Sequence, residues 1–186
     1  MPPFLCARKI TRNRMAKSEN IYLIGLMGAG KTTIGRLLAK SLKMPFYDSD
    51  KIIEDLTGVD IPTIFEFEGE AGFRDREQKA LAGLTKLTHI VLATGGGAVI
   101  REENRDCLKE NGFVVYLQCS VDRILERTKR DTQRPLLQTD NPRAKLEQLL
   151  IEREPLYLSC ADYVVDSGTL QSKAAVKNIL QRYRDL

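Results

Sequence analysis

Eight residues restrict the fold more than any others: "GLMGAGKT", Gly25 to Thr32, which reads G-x-x-x-x-G-K-T. The stretch lies between an apolar run, "IYLIGL" (21–26), and "KTTIGRLLAKSL", where Ile34, Leu37, Leu38 and Leu42 recur at helical spacing. A strand that enters such a loop and leaves as a helix makes a cradle for phosphate. Gly28 and Gly30, with Ala29 between them, let the backbone aim its N–H groups inward at a helix N-terminus. Lys31 then reaches the β- and γ-phosphates, the Thr32 hydroxyl is placed to coordinate Mg²⁺, and Thr33 completes the cradle. An ordinary glycine-rich turn would account for the glycines but not for Lys-Thr at the helix start.

The rest of the chain keeps the same rhythm. "MPFYDSD" reads as a second strand, "HIVLAT" (89–94) as a third, "FVVYLQC" (113–119) as a fourth and "ADYVVDS" (161–167) as a fifth. Helical patterns follow at about 101–111, 120–130, 143–154 and 170–184. Alternating strands and helices predict an α/β fold: a three-layer P-loop architecture with a five-stranded parallel sheet and helices on both faces. Two stretches interrupt it. Residues about 50–86 hold helical turns and no strand, which suggests a substrate-binding insertion. Residues about 128–143, "TKRDTQRPLLQTDNPR" with its flanks, are polar, Pro-broken and Arg-rich, which suggests a mobile lid.

Charge distribution narrows the function. The net charge is +4, but residues 1–17 contribute Arg8, Lys9, Arg12, Arg14 and Lys17 and no acid, so the remainder is near neutral. Residues 1–18 therefore read as a basic, disordered extension, with an upstream start before Met15 or a short transit peptide as other readings. Residues 19–186 read as one domain, and a near-neutral body argues against a nucleic-acid partner. No apolar run reaches the ~18 residues of a membrane span. Four scattered cysteines and a single histidine, His89, count against zinc and disulfides and suit a cytoplasmic protein with reduced thiols.

The second strand ends in Asp48 and Asp50, separated by Ser49. Residues i and i+2 of a strand project to one side, so the two carboxylates are expected to point at a common target. Two like charges side by side repel unless cations or donors accommodate them. A metal answers for one; the other could orient an acceptor hydroxyl and take its proton. A purely structural alternative places Asp50 at a helix N-cap, with Glu54 just beyond the usual capping-box position and Asp48 in solvent.

Several motifs in order now resemble the shikimate kinases: "GLMGAGKTTIGRLLA", "FYDSD", "GFRDRE", "TGGGAV", "RPLL" and "REPLY", spanning about Ile21 to Leu186. The resemblance implies ATP-dependent phosphorylation of the 3-hydroxyl of shikimate, on the route to chorismate and the aromatic amino acids. It also implies roles for individual residues. Asp48 resembles the family's magnesium-associated acid, and Asp50 the residue that contacts shikimate hydroxyls and is the proposed base. Arg74 and Arg153 match the two arginines that hold the substrate carboxylate, and Gly95, Gly96 and Gly97 the turn along which substrate lies. Arg134 matches the lid arginine that reaches the transferring phosphate, and Arg127 the residue against adenine. The expected catalytic groups are thus Lys31, Asp50 and Arg134, with Mg²⁺ at Thr32 and Asp48, in a monomer with no membrane partner.

The residues make chemical sense apart from the resemblance. A planar guanidinium fits a carboxylate better than an ammonium does. Glu77, three residues after Arg74 on an expected helix, can pair with it and fix its direction. Three glycines after an apolar strand cost conformational entropy, and a ligand's close approach is the economical reason for them. Taken singly, each arginine also reads as an ordinary surface or loop charge. Another P-loop kinase, of the gluconate or nucleoside-monophosphate type, stays open, as does a nucleotide-dependent switch. The combination of DxD, "GFR" and "TGGG" speaks against the first and the near-neutral body against the second.

Overall fold

The structure, a computed structural model, describes residues 19–129 and 140–186. The basic extension and residues 130–139, which include Arg134 and most of the expected lid, lie outside the described residues.

Strand β1 (Ile21–Ile24) is buried at every position, as a strand covered on both faces must be. It feeds the phosphate loop and then helix α1 (Lys31–Leu42), whose apolar side, Ile34, Leu38 and Ala39, packs into the core. Strand β2 (Phe46–Asp48) runs directly into α2 (Ser49–Thr57), followed by α3 (Ile61–Leu84). Then come β3 (Val91–Ala93), α4 (Glu102–Asn111), β4 (Phe113–Gln118), α5 (Val121–Thr128), α6 (Pro142–Cys160), β5 (Tyr163–Asp166) and α7 (Ser172–Arg184). The sheet is fully parallel, in the order β2-β3-β1-β4-β5. This is the expected five-stranded α/β architecture.

Strand order reverses around β1, and in such sheets ligands bind beyond the carboxyl ends of the strands at that point. Register sharpens the location. Asp48 pairs with Ala93, and Ala93 with Leu23, so the ends of β2, β3 and β1 lie side by side. The DSD acids, the glycine turn and the phosphate loop consequently leave the sheet at one edge. No helix among the described residues is long and apolar enough to cross a membrane.

Two local expectations need correction. The last long helix does not stop before Pro155 but continues through it to Cys160. Pro155 forfeits a hydrogen bond to the carbonyl of Ile151, a residue 77% exposed, so water can satisfy that carbonyl. Continuing the helix also buries Tyr157 and Cys160, which favours tolerating the proline. The DSD segment is likewise not wholly a strand: β2 ends at Asp48, and Asp50 lies in the first turn of α2. Asp48, not Asp50, is the N-cap, and its Oδ1 accepts from the Asp50 N–H at 3.2 Å.

The insertion is built from α2 and α3 around a small core of Ile53, Ile64, Phe73 and Ala80. Helix α3 breaks at Gly69, whose φ of 67° and ψ of −175° suit only glycine. Across this break Arg76 grips Glu68 with two hydrogen bonds of 2.7 and 2.6 Å, and Phe65 meets Phe73 with ring centres 4.7 Å apart. The break turns the first half of α3 back over the carboxyl edge of the sheet, where Ile61, Pro62 and Phe65 line a cavity.

Candidate active site

That cavity has a volume of about 620 Å³, within the range of small-molecule sites. Its walls include Gly28, Gly30, Lys31, Thr32 and Thr33 from the phosphate loop, Asp48 and Asp50, and Gly95, Gly96 and Gly97. Arg74, Glu77, Arg127 and Arg153 complete them. Ala29 is buried behind the loop, where its carbonyl accepts from the Ser167 hydroxyl at 2.8 Å. All the candidate residues within the described segments therefore belong to this loop or this cavity.

The phosphate loop is held ready by its own lysine. Lys31 Nζ donates to the carbonyls of Gly25 at 2.7 Å and Leu26 at 2.8 Å. Gly30 caps α1 in the left-handed conformation, φ 95°, leaving the first N–H groups of the helix open to the cavity. Arg127, on α5, closes the other side by donating to the Gly28 carbonyl at 3.3 Å and the Ser167 carbonyl at 2.6 Å. Beside it, burial pushes the Cys119 thiol above its ordinary pKa, with Arg127 and Ser167 opposing, so the thiol is a packed structural group.

Asp48 joins the loop to the acid pair, its Oδ2 accepting from the Thr32 hydroxyl at 2.8 Å. A hydroxyl and a carboxylate oxygen at that distance form a hard-oxygen pair that suits Mg²⁺, an ion commonly held by one or two carboxylates together with nucleotide phosphates. Asp50 stands at the N-terminus of α2, where the helix dipole favours a negative side chain.

The arginine side is strongly constrained. Arg74 is 7% exposed and Glu77 is 0% exposed, and they pair at 2.6 Å. Glu70, on the more exposed flank, accepts from Arg74 at 3.1 Å, and the guanidinium also lies 5.3 Å from the centre of the Phe73 ring. Burial works against the Arg74 charge, but Glu77 and Glu70 more than offset it and raise its pKa. Burial also raises the Glu77 pKa, opposed by Arg74 and then by Arg153 and Arg101. The expected Arg74–Glu77 pair is thus present. Arg153 is buried on α6 and close enough to influence Glu77.

The glycine turn is where ligand approach and protein packing meet. A Cβ on Gly95 would lie 2.6 Å from both Asp50 Oδ1 and Glu77 Oε1, and one on Gly97 would collide with the Arg74 guanidinium. Only bare backbone fits there. The apolar wall of Ile61, Pro62, Phe65 and Phe73 was not anticipated as part of the site; its one trace in the sequence is the phenylalanine-rich "IPTIFEFEGEAGF" before Arg74.

A phosphate loop and an acid–arginine pocket opening into one cavity define a P-loop kinase that acts on a small anionic alcohol. The sequence model of the shikimate kinase family matches residues 27–184. A shikimate kinase of Methylococcus capsulatus is 59% identical over 169 residues, covering 91% of this chain and 94% of the relative. Another, from Thiobacillus denitrificans, is 56% identical over 172 residues, covering 92% and 93%. Among solved structures, shikimate kinase from Acinetobacter baumannii in complex with shikimate has a TM-score of 0.88 and 48% identity, covering 93% of this chain and 97% of that one. The chain belongs to the shikimate kinase family, which are phosphotransferases with ATP as co-substrate. A gluconokinase from Sinorhizobium meliloti, at 17% identity and a TM-score of 0.55, shares the fold alone.

Proposed function

We propose that this chain transfers the γ-phosphoryl group of ATP to the 3-hydroxyl of shikimate, with Mg²⁺ held at Thr32 and Asp48. The observation that carries the reading is the convergence of Asp50, Arg74 and Arg153 on the cavity lined by Gly28–Thr33. Phosphoryl transfer passes through a loose transition state, so the protein mainly positions groups and neutralises charge. Lys31 and the loop N–H groups take the β- and γ-phosphates, and Arg127 lies against the adenine. When bound, Mg²⁺ supplies charge neutralisation at the phosphate oxygens.

Arg74 and Arg153 hold the substrate carboxylate, and Gly95–Gly97 lets the ring lie against backbone. The apolar wall covers the ring. Asp50 orients the 3-hydroxyl for in-line attack and accepts its proton. Glu77 Oε1, buried and with no hydrogen-bond partner among the described residues, is an acceptor facing the same space. Arg134 would add charge at the transferring phosphate. Residues 19–186 act as one kinase domain with its substrate-binding insertion at about 50–86, in a cytoplasmic monomer.

Coupling ADP release to a spectrophotometric readout, with ATP and Mg²⁺ present, tests this directly. ADP release is expected to depend on added shikimate and to stay near background with gluconate or a nucleoside monophosphate. Release indifferent to shikimate would refute the assignment, and dependence on either other acceptor would favour the corresponding kinase.

A further inference from the structure

Two hydroxyls with no role in the chemistry above fix the glycine turn from opposite sides. The Gly95 N–H donates to Ser49 Oγ at 2.9 Å, and the Tyr157 hydroxyl donates to the Gly96 carbonyl at 2.5 Å. Both side-chain-bearing residues are fully buried, at 0% exposure. Ser49 stands between the two acids, and Tyr157 stands four residues after Arg153, one turn further along the same face of α6. Burial raises the Tyr157 pKa far above the ordinary phenol value, while the nearby Arg153 charge opposes that rise. The phenol oxygen thus holds the substrate-facing turn from the helix that carries Arg153.

Packing alone does not require that oxygen. The Tyr157 ring stacks on Tyr116 with centres 4.9 Å apart, and phenylalanine would fill the same volume. Burying a hydroxyl costs free energy unless it is hydrogen-bonded, and here the bond goes to a carbonyl in the site. Helix α6 carries both Arg153 and Tyr157, and hydrogen bonds then run from Tyr157 to Gly96 and from Gly95 to Ser49, the neighbour of Asp50.

We propose that Tyr157 is a positioning residue for substrate, its hydroxyl tying Gly96 to the helix that carries Arg153 while Ser49 anchors the same turn on the acid side. The path acts as a ruler between the carboxylate grip and the hydroxyl that is phosphorylated. Its effect is selection of acceptors whose carboxylate and reacting hydroxyl are spaced as in shikimate. The inference rests on the functional reading above.

The test is steady-state kinetics of the full chain as wild type, Tyr157→Phe, Ser49→Ala and Tyr22→Phe. Tyr22 is an equally buried tyrosine at the opposite edge of the sheet, where its hydroxyl donates to the Asn111 carbonyl at 3.1 Å. A misplacement near 1 Å costs about 10²-fold. Tyr157→Phe is therefore expected to lower kcat/KM for shikimate about 10- to 100-fold, with the KM for ATP little changed. Ser49→Ala should show the same split, and Tyr22→Phe should lower Tm without it.

Unchanged shikimate kinetics in Tyr157→Phe, a parallel rise in the KM for ATP, or the same split in Tyr22→Phe would overturn the proposal. If Tyr157→Phe does not fold, Ser49→Ala decides by the same readout. Wild-type protein that ignores shikimate refutes the functional reading itself. Active wild type with an indifferent Tyr157→Phe refutes only the positioning role.

Discussion

Asp50→Asn is expected to lower kcat by about 10²- to 10⁴-fold, the range associated with a positioned acid or base, while ATP binds as before. Asparagine keeps the shape of the side chain at the start of α2 but loses the charge and one acceptor oxygen. The loop at Gly28–Thr33, proposed to hold the nucleotide, is left alone by the substitution, so the split between kcat and ATP affinity is the informative result. A loose transition state asks little of a base, which makes alignment of the hydroxyl the larger contribution. Asp50→Glu separates the two roles. It restores a base displaced by one methylene, and an alignment role predicts poor rescue. A near-normal rate for Asp50→Asn, measured with both substrates saturating, would remove this residue from the mechanism.

Arg74→Ala is expected to raise the shikimate KM about 10- to 100-fold and to destabilise the fold in the same stroke. The kinetic part follows from losing charge-assisted hydrogen bonds to a carboxylate, at about 1.5–3 kcal/mol. The stability part follows from Glu77, fully buried and paired with Arg74 at 2.6 Å. Removing one partner of a buried pair costs about 3–5 kcal/mol, because the other charge is left uncompensated. The Glu70 contact, on the exposed flank, adds little.

The sign of the pH dependence is fixed by Glu77. Burial raises its folded-state pKa above the ordinary carboxylate value, and loss of the Arg74 charge raises it further. A carboxyl with a raised folded pKa contributes stability at low pH that is lost as pH rises through that pKa. The Tm deficit of Arg74→Ala is therefore largest near neutral and alkaline pH and narrows on acidification. Adding Glu77→Gln should recover Tm without recovering the shikimate KM. Equal deficits at every pH would contradict this account of the pair, and an unchanged KM would refute the carboxylate role.

What the sequence disclosed depended on how each part is encoded. The phosphate loop and the glycine turn were legible because their work requires particular backbone geometry, and glycine is the residue that permits it. The inner strands β1, β3 and β4 were legible because a strand buried on both faces is a continuous apolar run, and the half-buried edge strands β2 and β5 because short apolar runs end there in turn residues. The acid pair was recognised, but not its geometry. A carboxylate at a helix start captures a backbone N–H, so Asp48 ended the strand and capped α2, placing Asp50 on a helix. Pro155 hid the last turns of α6, since a proline's local cost is visible in sequence and the burial of Tyr157 beyond it is not. Ser49 and Tyr157 escaped notice because their partners are backbone groups, which leave no letter of their own. The break at Gly69, likewise, folds an apolar wall over the site that no periodicity announces.

The most direct test of the central claim is the structure of the ternary complex with an unreactive ATP analogue and shikimate. Triphosphate should lie along Gly28–Thr33, the shikimate carboxylate between Arg74 and Arg153, and the 3-hydroxyl at Asp50 facing the terminal phosphate. Shikimate bound away from Asp50, or with its carboxylate clear of both arginines, would contradict the account.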